Sequence, residues 1–241
     1  MLSRQTQPPS EPIRRRHTPP RAGYATYRSC LRWEFGFTCV FCLLHEADFV
    51  EEGVRGTGLM TIEHHVAQSA DPTLIDTYRN CFYACRYCNR ARWIVPVARA
   101  GQRLLEPCSV AWADHFVVMG DELHPRDGDM DAVHTHAVYG IDAPRKVTYR
   151  EARRRRLDEA YTAVREIPEE IDRLLARARQ QAEAGRSELL RIAERLRRAL
   201  DDARETLARY RAIPVDRDDA CRCNAVHELP AFLARQVATA T

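Results

Sequence analysis

Four cysteines arranged as two C-x-x-C pairs constrain the fold of this chain more than any other feature. Cys39 and Cys42 form the first pair, Cys85 and Cys88 form the second, and 42 residues separate the pairs. This spacing predicts a structural zinc site, because four thiolates fill a tetrahedral ion and leave no open position. The alternative is that they are reduced core cysteines. If zinc ties the two pairs together, the intervening segment is a loop or hairpin free to carry function.

A polar set lies between and beside the cysteine pairs. It comprises one acid, two imidazoles, two amides and two guanidinium groups, namely Glu63, His64, His65, Asn80, Asn89, Arg86 and Arg92. Such groups suit metal-assisted attack on a phosphodiester. An imidazole can take a proton near neutral pH, oxygen atoms bind a hard cation, and guanidinium groups bind phosphate. The set therefore points to a hydrolytic site beside the zinc.

The order of these elements resembles the HNH endonuclease family. Residues 28–93 contain, in sequence, C-x-x-C, acid-His, Asn, C-x-x-C-Asn and Arg. The resemblance implies a ββα-metal fold, in which a β-hairpin and a helix hold one divalent ion. It also implies that His64 is the general base, that Asn80 braces the loop and orients this base, and that Glu63 and Asn89 are ligands of Mg²⁺ or Mn²⁺.

Two assignments within the resemblance have alternatives. Some family members use a His-His pair whose first member binds metal and whose second is the base, so His65 is the alternative to His64. The run Glu-His-His-Val-Ala-Gln-Ser favours His64 as the base. Arg92, one helical turn beyond Asn89, and Arg86 are predicted phosphate contacts. For each arginine, the alternative is a solvated helix face.

Local patterns predict the elements that carry these residues. Leu59–Glu63 alternates as a strand with His64 at its end, Phe82–Ala84 is the returning strand, and a helix begins around Cys85–Cys88 and runs through Arg92. Aromatic and β-branched residues around Cys30–Cys42 predict a short strand and a turn. Residues 104–149, including 115–119 and 133–139, predict a small β extension. The first 149 residues are thus expected to be α+β, with a nuclease domain over 24–149.

Residues 150–212 have a different composition, rich in Ala, Leu, Arg and Glu. A 4-3 spacing, typical of a coiled-coil seam, joins seven residues: Leu189, Ala193, Leu196, Leu200, Ala203, Leu207 and Tyr210. Pro168 followed by two glutamates predicts a helix start. A break at Gly185 favours an antiparallel helical hairpin, with one long bent helix as the alternative. The seam predicts an interface for a homodimer or a partner protein.

Charge is segregated along the chain. Residues 1–32 carry seven arginines and one glutamate, whereas residues 33–149 carry ten basic and sixteen acidic residues. Residues 150–212 carry seventeen arginines and thirteen acids. Basic segments on both sides of an acidic module could hold an anionic polymer such as DNA. The Arg- and Pro-rich residues 1–23 are predicted to be a disordered arm, and 213–241 a tail.

These observations lead to one leading function and two rivals. The leading hypothesis is a metal-dependent HNH endonuclease that nicks DNA, with RNA as the alternative substrate. The family analogy suggests a phage-defence system as its setting. The rivals are a zinc-ribbon nucleic-acid-binding protein without catalysis and a helical partner-binding protein. The sequence predicts a cytoplasmic protein without a membrane span. The C-terminal Cys221, Cys223 and His227 fall one ligand short of a metal site, so free thiols are expected there.

Overall fold

A strand–loop–strand–helix unit forms the centre of the chain. The structure is a computed structural model that describes residues 7–52, 56–93, 95–99, 101–210 and 223. Strand β1 (Met60–His64) pairs antiparallel with β2 (Cys81–Cys85), with Met60 opposite Cys85 and His64 opposite Cys81. Helix α2 (Arg86–Arg92) follows β2 without a linker. The predicted strands, helix and α+β class are confirmed.

The segment before β1 is helical where a strand was predicted. Helix α1 (Arg28–Glu34) contains Cys30, and the extended backbone is limited to a single bridge between Thr38 and His45. The chain then turns tightly at the first cysteine pair, where the Leu43 N–H donates to Cys39 O at 2.9 Å. Leu43 has a φ of 61°, the left-handed conformation that closes this turn.

Residues 96–99 and 101–143 form an α+β extension rather than a β extension. Two short hairpins flank the one-turn helix α3 (Trp112–His115). The first hairpin pairs β3 (Ala98–Arg99) with β4 (Gln102–Arg103). The second pairs β5 (Phe116–Met119) with β6 (Glu122–Pro125). The strand predicted near 133–139 is wrong, because α4 (Met130–Tyr139) occupies these residues. The Asp129 carboxylate caps its first turn and Gly140, in the left-handed conformation, ends it.

Two long helices complete the described chain. Helix α5 (Pro144–Ala178) and helix α6 (Glu183–Tyr210) form the predicted hairpin, which excludes one continuous helix. The turn lies at residues 179–182 rather than at Gly185. Pro168 lies inside α5 rather than at a helix start. The predicted boundary at residue 150 therefore cuts through a helix.

The helical seam is used within one chain. Leu157 and Ala160 of α5 pack against Ala203, Leu207 and Tyr210 of α6 in a buried cluster. The seam that was predicted to bind a second copy or a partner is therefore largely covered by α5. No helix in the described part of the chain is long and apolar enough to cross a bilayer.

The described part of the N-terminal arm is docked on the core, contrary to the prediction of disorder. The Ile13 N–H donates to Pro107 O at 3.0 Å, and the Ala113 N–H donates to Pro9 O at 2.9 Å. Arg15 forms a 3.2 Å ion pair with the buried Glu34. Because these contacts are tertiary, the composition of the arm gave no sign of them.

Candidate functional site

The two cysteine pairs meet in one buried cluster. Cys39 and Cys42 lie on the turn after α1, Cys85 ends β2, and Cys88 lies in the first turn of α2. The four side chains are fully buried, their sulfur atoms all lie within 4.8 Å of one another, and Cys42 Sγ lies 3.6 Å from Cys85 Sγ. Zinc–sulfur bonds of about 2.3 Å in a tetrahedron require sulfur separations of about 3.8 Å. The cluster therefore fits a structural zinc ion.

The cluster is bordered by a row of buried cations on α5. Lys146, the only lysine of the chain, donates to Cys88 Sγ at 3.2 Å. One turn later Arg150 donates to Cys42 O at 3.2 Å, and Arg153 donates to Leu43 O at 2.8 Å. All three cations are at most 2% exposed. They satisfy the backbone of the cysteine turn and offset thiolate charge, a role that the sequence analysis missed.

His64 is held in one tautomer at the end of β1. Its Nε2 lies 3.0 Å from Ile75 O, and because a carbonyl can only accept, Nε2 carries the proton. The Nδ1 atom therefore presents a lone pair, which accepts from the Gln68 amide at 3.2 Å. Burial lowers the pKa of His64 below its ordinary value, although the Ile75 carbonyl and Asp76 oppose this shift. His64 is thus a neutral imidazole near pH 7, as a general base must be.

Asn80 braces the loop that orients His64. Its Oδ1 accepts from the Val66 N–H at 2.8 Å, and its Nδ2 donates to Val66 O at 3.0 Å and to Leu74 O at 3.2 Å. These bonds join both ends of the loop between β1 and β2. The same loop supplies Ile75 O to His64, so Asn80 and His64 both contact this loop.

Glu63 and Arg92 are paired in the interior. Glu63 is 6% exposed and its carboxylate lies 3.8 Å from Arg92 Nε. Burial raises the pKa of Glu63 to about 8, against the opposing charge of Arg92. Arg92 is fully buried and also donates to His65 O at 2.6 Å and to Val95 O. The predicted phosphate contact at Arg92 is therefore wrong, because its guanidinium is enclosed by protein.

Asn89 lies on the same side of β1 as Glu63. Its Nδ2 donates to Thr61 Oγ1 and to Ile62 O, both at 3.2 Å. Side chains alternate along a strand, so Thr61 and Glu63 face α2 whereas His64 faces the opposite side. The structure thus brings Glu63 and Asn89 to one interface and places His64 across the strand. The use of Nδ2 as donor leaves Oδ1 of Asn89 as a potential cation ligand.

The remaining predicted residues have contrasting environments. Arg86 is exposed, with its guanidinium 5.7 Å from the Tyr87 ring, and stays accessible to a phosphate. The His65 ring packs 5.9 Å from the Phe82 ring, and burial lowers its pKa. Its Nδ1 is buried without a hydrogen-bond partner among the described residues. Cys221 and His227 lie outside the described residues.

Comparisons with known proteins do not identify a relative. No protein-family model, no curated protein and no solved structure matches this chain. Functional inference therefore depends on the geometry around β1, β2 and α2.

Proposed function

We propose that the β1–β2–α2 unit is an HNH-type endonuclease centre that hydrolyses phosphodiester bonds of DNA, one strand per event. His64 is the general base, Asn80 positions it through the loop, and the tetracysteine zinc fixes the hairpin against α2. The basic segments 1–32 and 150–212 attract the DNA, and Arg86, an exposed arginine beside the tetracysteine cluster, is available to contact its phosphates.

The observation that carries this proposal is the state of the His64 ring. A structural histidine needs only a hydrogen-bond partner for each ring nitrogen, whereas a general base needs a neutral ring whose lone pair can accept a proton from water. His64 has its proton committed to Ile75 O, and its lone pair meets a side-chain amide that a water molecule can replace. The Asn80-braced loop keeps this arrangement at the end of β1.

The side of β1 that faces α2, opposite to His64, carries the types of ligand that a hard divalent cation prefers. Glu63 and Asn89 carry the oxygen atoms that Mg²⁺ and Mn²⁺ prefer, and both face α2. Because burial raises the pKa of Glu63 to about 8, a bound ion would have to displace its proton near pH 7. When bound, the ion would stabilise a scissile phosphate and its leaving 3′ oxygen. Because Glu63 and His64 face opposite sides of β1, the ion and the base would share one phosphate only at the end of the strand, where both residues lie. Arg92 opposes the ion, because its guanidinium already lies 3.8 Å from the Glu63 carboxylate. We therefore expect weak cation binding at this pair.

That same ion pair favours a second candidate function. If Glu63 and Arg92 serve only to hold α2 against β1, the unit is a zinc-ribbon module that binds nucleic acid without turnover. The two functions make different predictions for purified protein, because only the first requires loss of activity on removal of the His64 ring.

Nicking of supercoiled plasmid tests the proposal. Zinc-loaded protein is incubated with Mg²⁺, with Mn²⁺ and without either ion. The metal-free condition is made by leaving the divalent ion out rather than by adding a chelator, because a chelator would remove zinc from the cysteine site. Wild-type protein should nick in the presence of a divalent ion, and His64→Ala should lower the rate by about 10²-fold or more. The matched control is His65→Ala, which should keep most of the activity.

Each outcome of the plasmid assay separates the hypotheses. Zinc content and melting temperature of both variants must match wild type before rates are compared. Plasmid retardation without nicking in wild type supports the zinc-ribbon module and contradicts the nuclease. Loss of nicking in His65→Ala but not in His64→Ala assigns the base to His65 instead.

A further inference from the structure

A second group of metal-ligating side chains lies away from the tetracysteine cluster. His17 of the arm, Cys30 of α1 and Cys223 near the C-terminus place their ligand atoms within 4.8 Å of one another. His17 Nδ1 lies 3.1 Å from Cys223 Sγ, across a sequence separation of 206 residues. His17 is 7% exposed, Cys30 is 1% exposed and Cys223 is half-buried. Three ligand-bearing residues from three distant parts of the chain thus share one site.

The backbone of the arm is anchored so that His17 faces Cys30. Glu34 lies one helical turn after Cys30 on α1, so the two side chains are on one face of the helix. The Glu34 carboxylate accepts from the His17 N–H at 3.0 Å and from the Arg16 N–H. It also accepts from Tyr78 Oη at 2.6 Å and pairs with Arg15. The buried Glu34 therefore holds His17 beside Cys30, the cysteine that lies on the same helix as Glu34.

We propose that His17, Cys30 and Cys223 bind a second zinc ion that ties both ends of the chain to α1. Two thiolates and one imidazole form a donor set that zinc prefers, and they neutralise its two positive charges. Bonds of about 2.3 Å to sulfur and about 2.0 Å to nitrogen need ligand atoms roughly 3.5 to 3.8 Å apart, which the cluster reaches with small movements. Three protein ligands leave the fourth position to water or a further ligand.

The inference does not depend on the proposed nuclease activity. The three proposed ligands are different residues from His64, Glu63 and Asn89, on which the proposed nuclease activity depends. Its consequence is mechanical, because a bound ion would join residue 17 to residue 223 through residue 30. The arm would then be held by a metal in addition to Glu34.

Zinc counting by native mass spectrometry of reduced protein tests the inference. Wild-type protein should carry two zinc ions, Cys223→Ser and His17→Ala should each carry one, and Cys108→Ser should keep two. Cys108 is a matched control, since it is a partly buried free cysteine outside both clusters. Cys223→Ser keeps the test valid if changes at the buried Cys30 disturb folding.

Cobalt substitution gives an independent reading. The Cys223→Ser variant should lose about one third of the thiolate-to-cobalt charge-transfer absorbance, because release of the second ion removes two of the six thiolate ligands. Equal zinc content in wild type and Cys223→Ser would overturn the inference. So would a Cys30–Cys223 disulfide in protein purified without reductant, detected by blocked alkylation and a mass two hydrogens lower.

Discussion

The ammonium of Lys146 lies 3.2 Å from the sulfur of Cys88 and donates a hydrogen bond to it. The same group donates to Tyr139 O at 2.5 Å and to Gly140 O at 3.0 Å, so it joins α5, α4 and α2 at one point. Four thiolates around zinc carry a net charge of −2, and a buried cation offsets part of it. The helical hairpin is thereby attached to the cysteine cluster rather than being an independent coiled coil.

Replacement of Lys146 by methionine tests this attachment. The variant keeps the bulk of the side chain but leaves the thiolate charge without its buried partner. We expect the free energy of unfolding to fall by about 3 kcal/mol and zinc transfer to a coloured chelator to accelerate. Arg155→Met, an exposed change on the same helix, is the control and should change neither quantity. Wild-type zinc transfer in Lys146→Met would contradict the role assigned to Lys146.

Asn80 is expected to link stability with activity. Asn80→Ala removes three hydrogen bonds in the loop between β1 and β2 and should cost about 2 to 3 kcal/mol. Because that loop carries Ile75 O, the orientation of His64 should be lost and nicking should fall with it. Hydrogen exchange over residues 66–75 and nicking rates measure the two effects. Unchanged exchange in this loop would be inconsistent with the bracing role.

Acid should weaken the junction between the cysteine turn and the hairpin. Burial, reinforced by the charges of Arg153 and Arg32, lowers the pKa of His45 from 6.5 to about 3. The unfolded chain therefore binds a proton at His45 between pH 6.5 and about 3 that the folded chain does not bind. Stability from neutral His45 is fully present above pH 6.5 and is lost as the pH falls, by at most about 1.4 kcal/mol per unit.

The His45 prediction is checked with a variant that does not titrate. His45→Asn can still accept from the Ala47 N–H, as His45 Nδ1 does at 3.0 Å. Urea unfolding of both proteins from pH 7 to pH 4 gives the free energy of unfolding as a function of pH. The contribution of His45 is the difference between the slopes of the two curves. Parallel curves for the two proteins would show that His45 is not the group responsible.

The seam within the hairpin should behave as a core. Leu207 is 5% exposed and packs with Leu157 and Ala160, so Leu207→Ala should destabilise the protein by about 2 to 4 kcal/mol. Leu190 on the same helix is 41% exposed, and Leu190→Ala should cost less than about 0.5 kcal/mol. Urea unfolding followed by circular dichroism at helical wavelengths measures both. Equal effects would mean that the seam is not buried in solution.

The sequence was sufficient where the determining contacts are local. Alternation in Leu59–Glu63 and the C-x-x-C spacing predicted the hairpin, the following helix and the tetracysteine cluster. The apolar alternation of 133–139 predicts a strand where the structure has helix α4, although the caps of that helix, Asp129 and Gly140, are present in the sequence. Such alternation is ambiguous over short stretches.

The sequence was insufficient where burial decides the role of a charged residue. Arg92 occupies a position typical of a phosphate contact, yet the carbonyls of His65 and Val95 enclose it, and this requires the fold of the segment after α2. Arg153 belongs to a segment whose arginine content indicates solvent or nucleic acid, yet it is buried because α5 docks on the cysteine turn. Lys146, at the start of the same helix, is buried for the same reason. The separation of His64 from Glu63 across β1 follows from strand alternation and was predictable.

X-ray absorption at the zinc edge measures the metal on which the rest of the account depends. In the Cys223→Ser variant, where the second site is removed, we expect one zinc per chain with four sulfur neighbours at about 2.3 Å and no nitrogen or oxygen neighbour. Protein that folds and unfolds normally without zinc, or a zinc ion with oxygen or nitrogen neighbours, would contradict the tetracysteine centre.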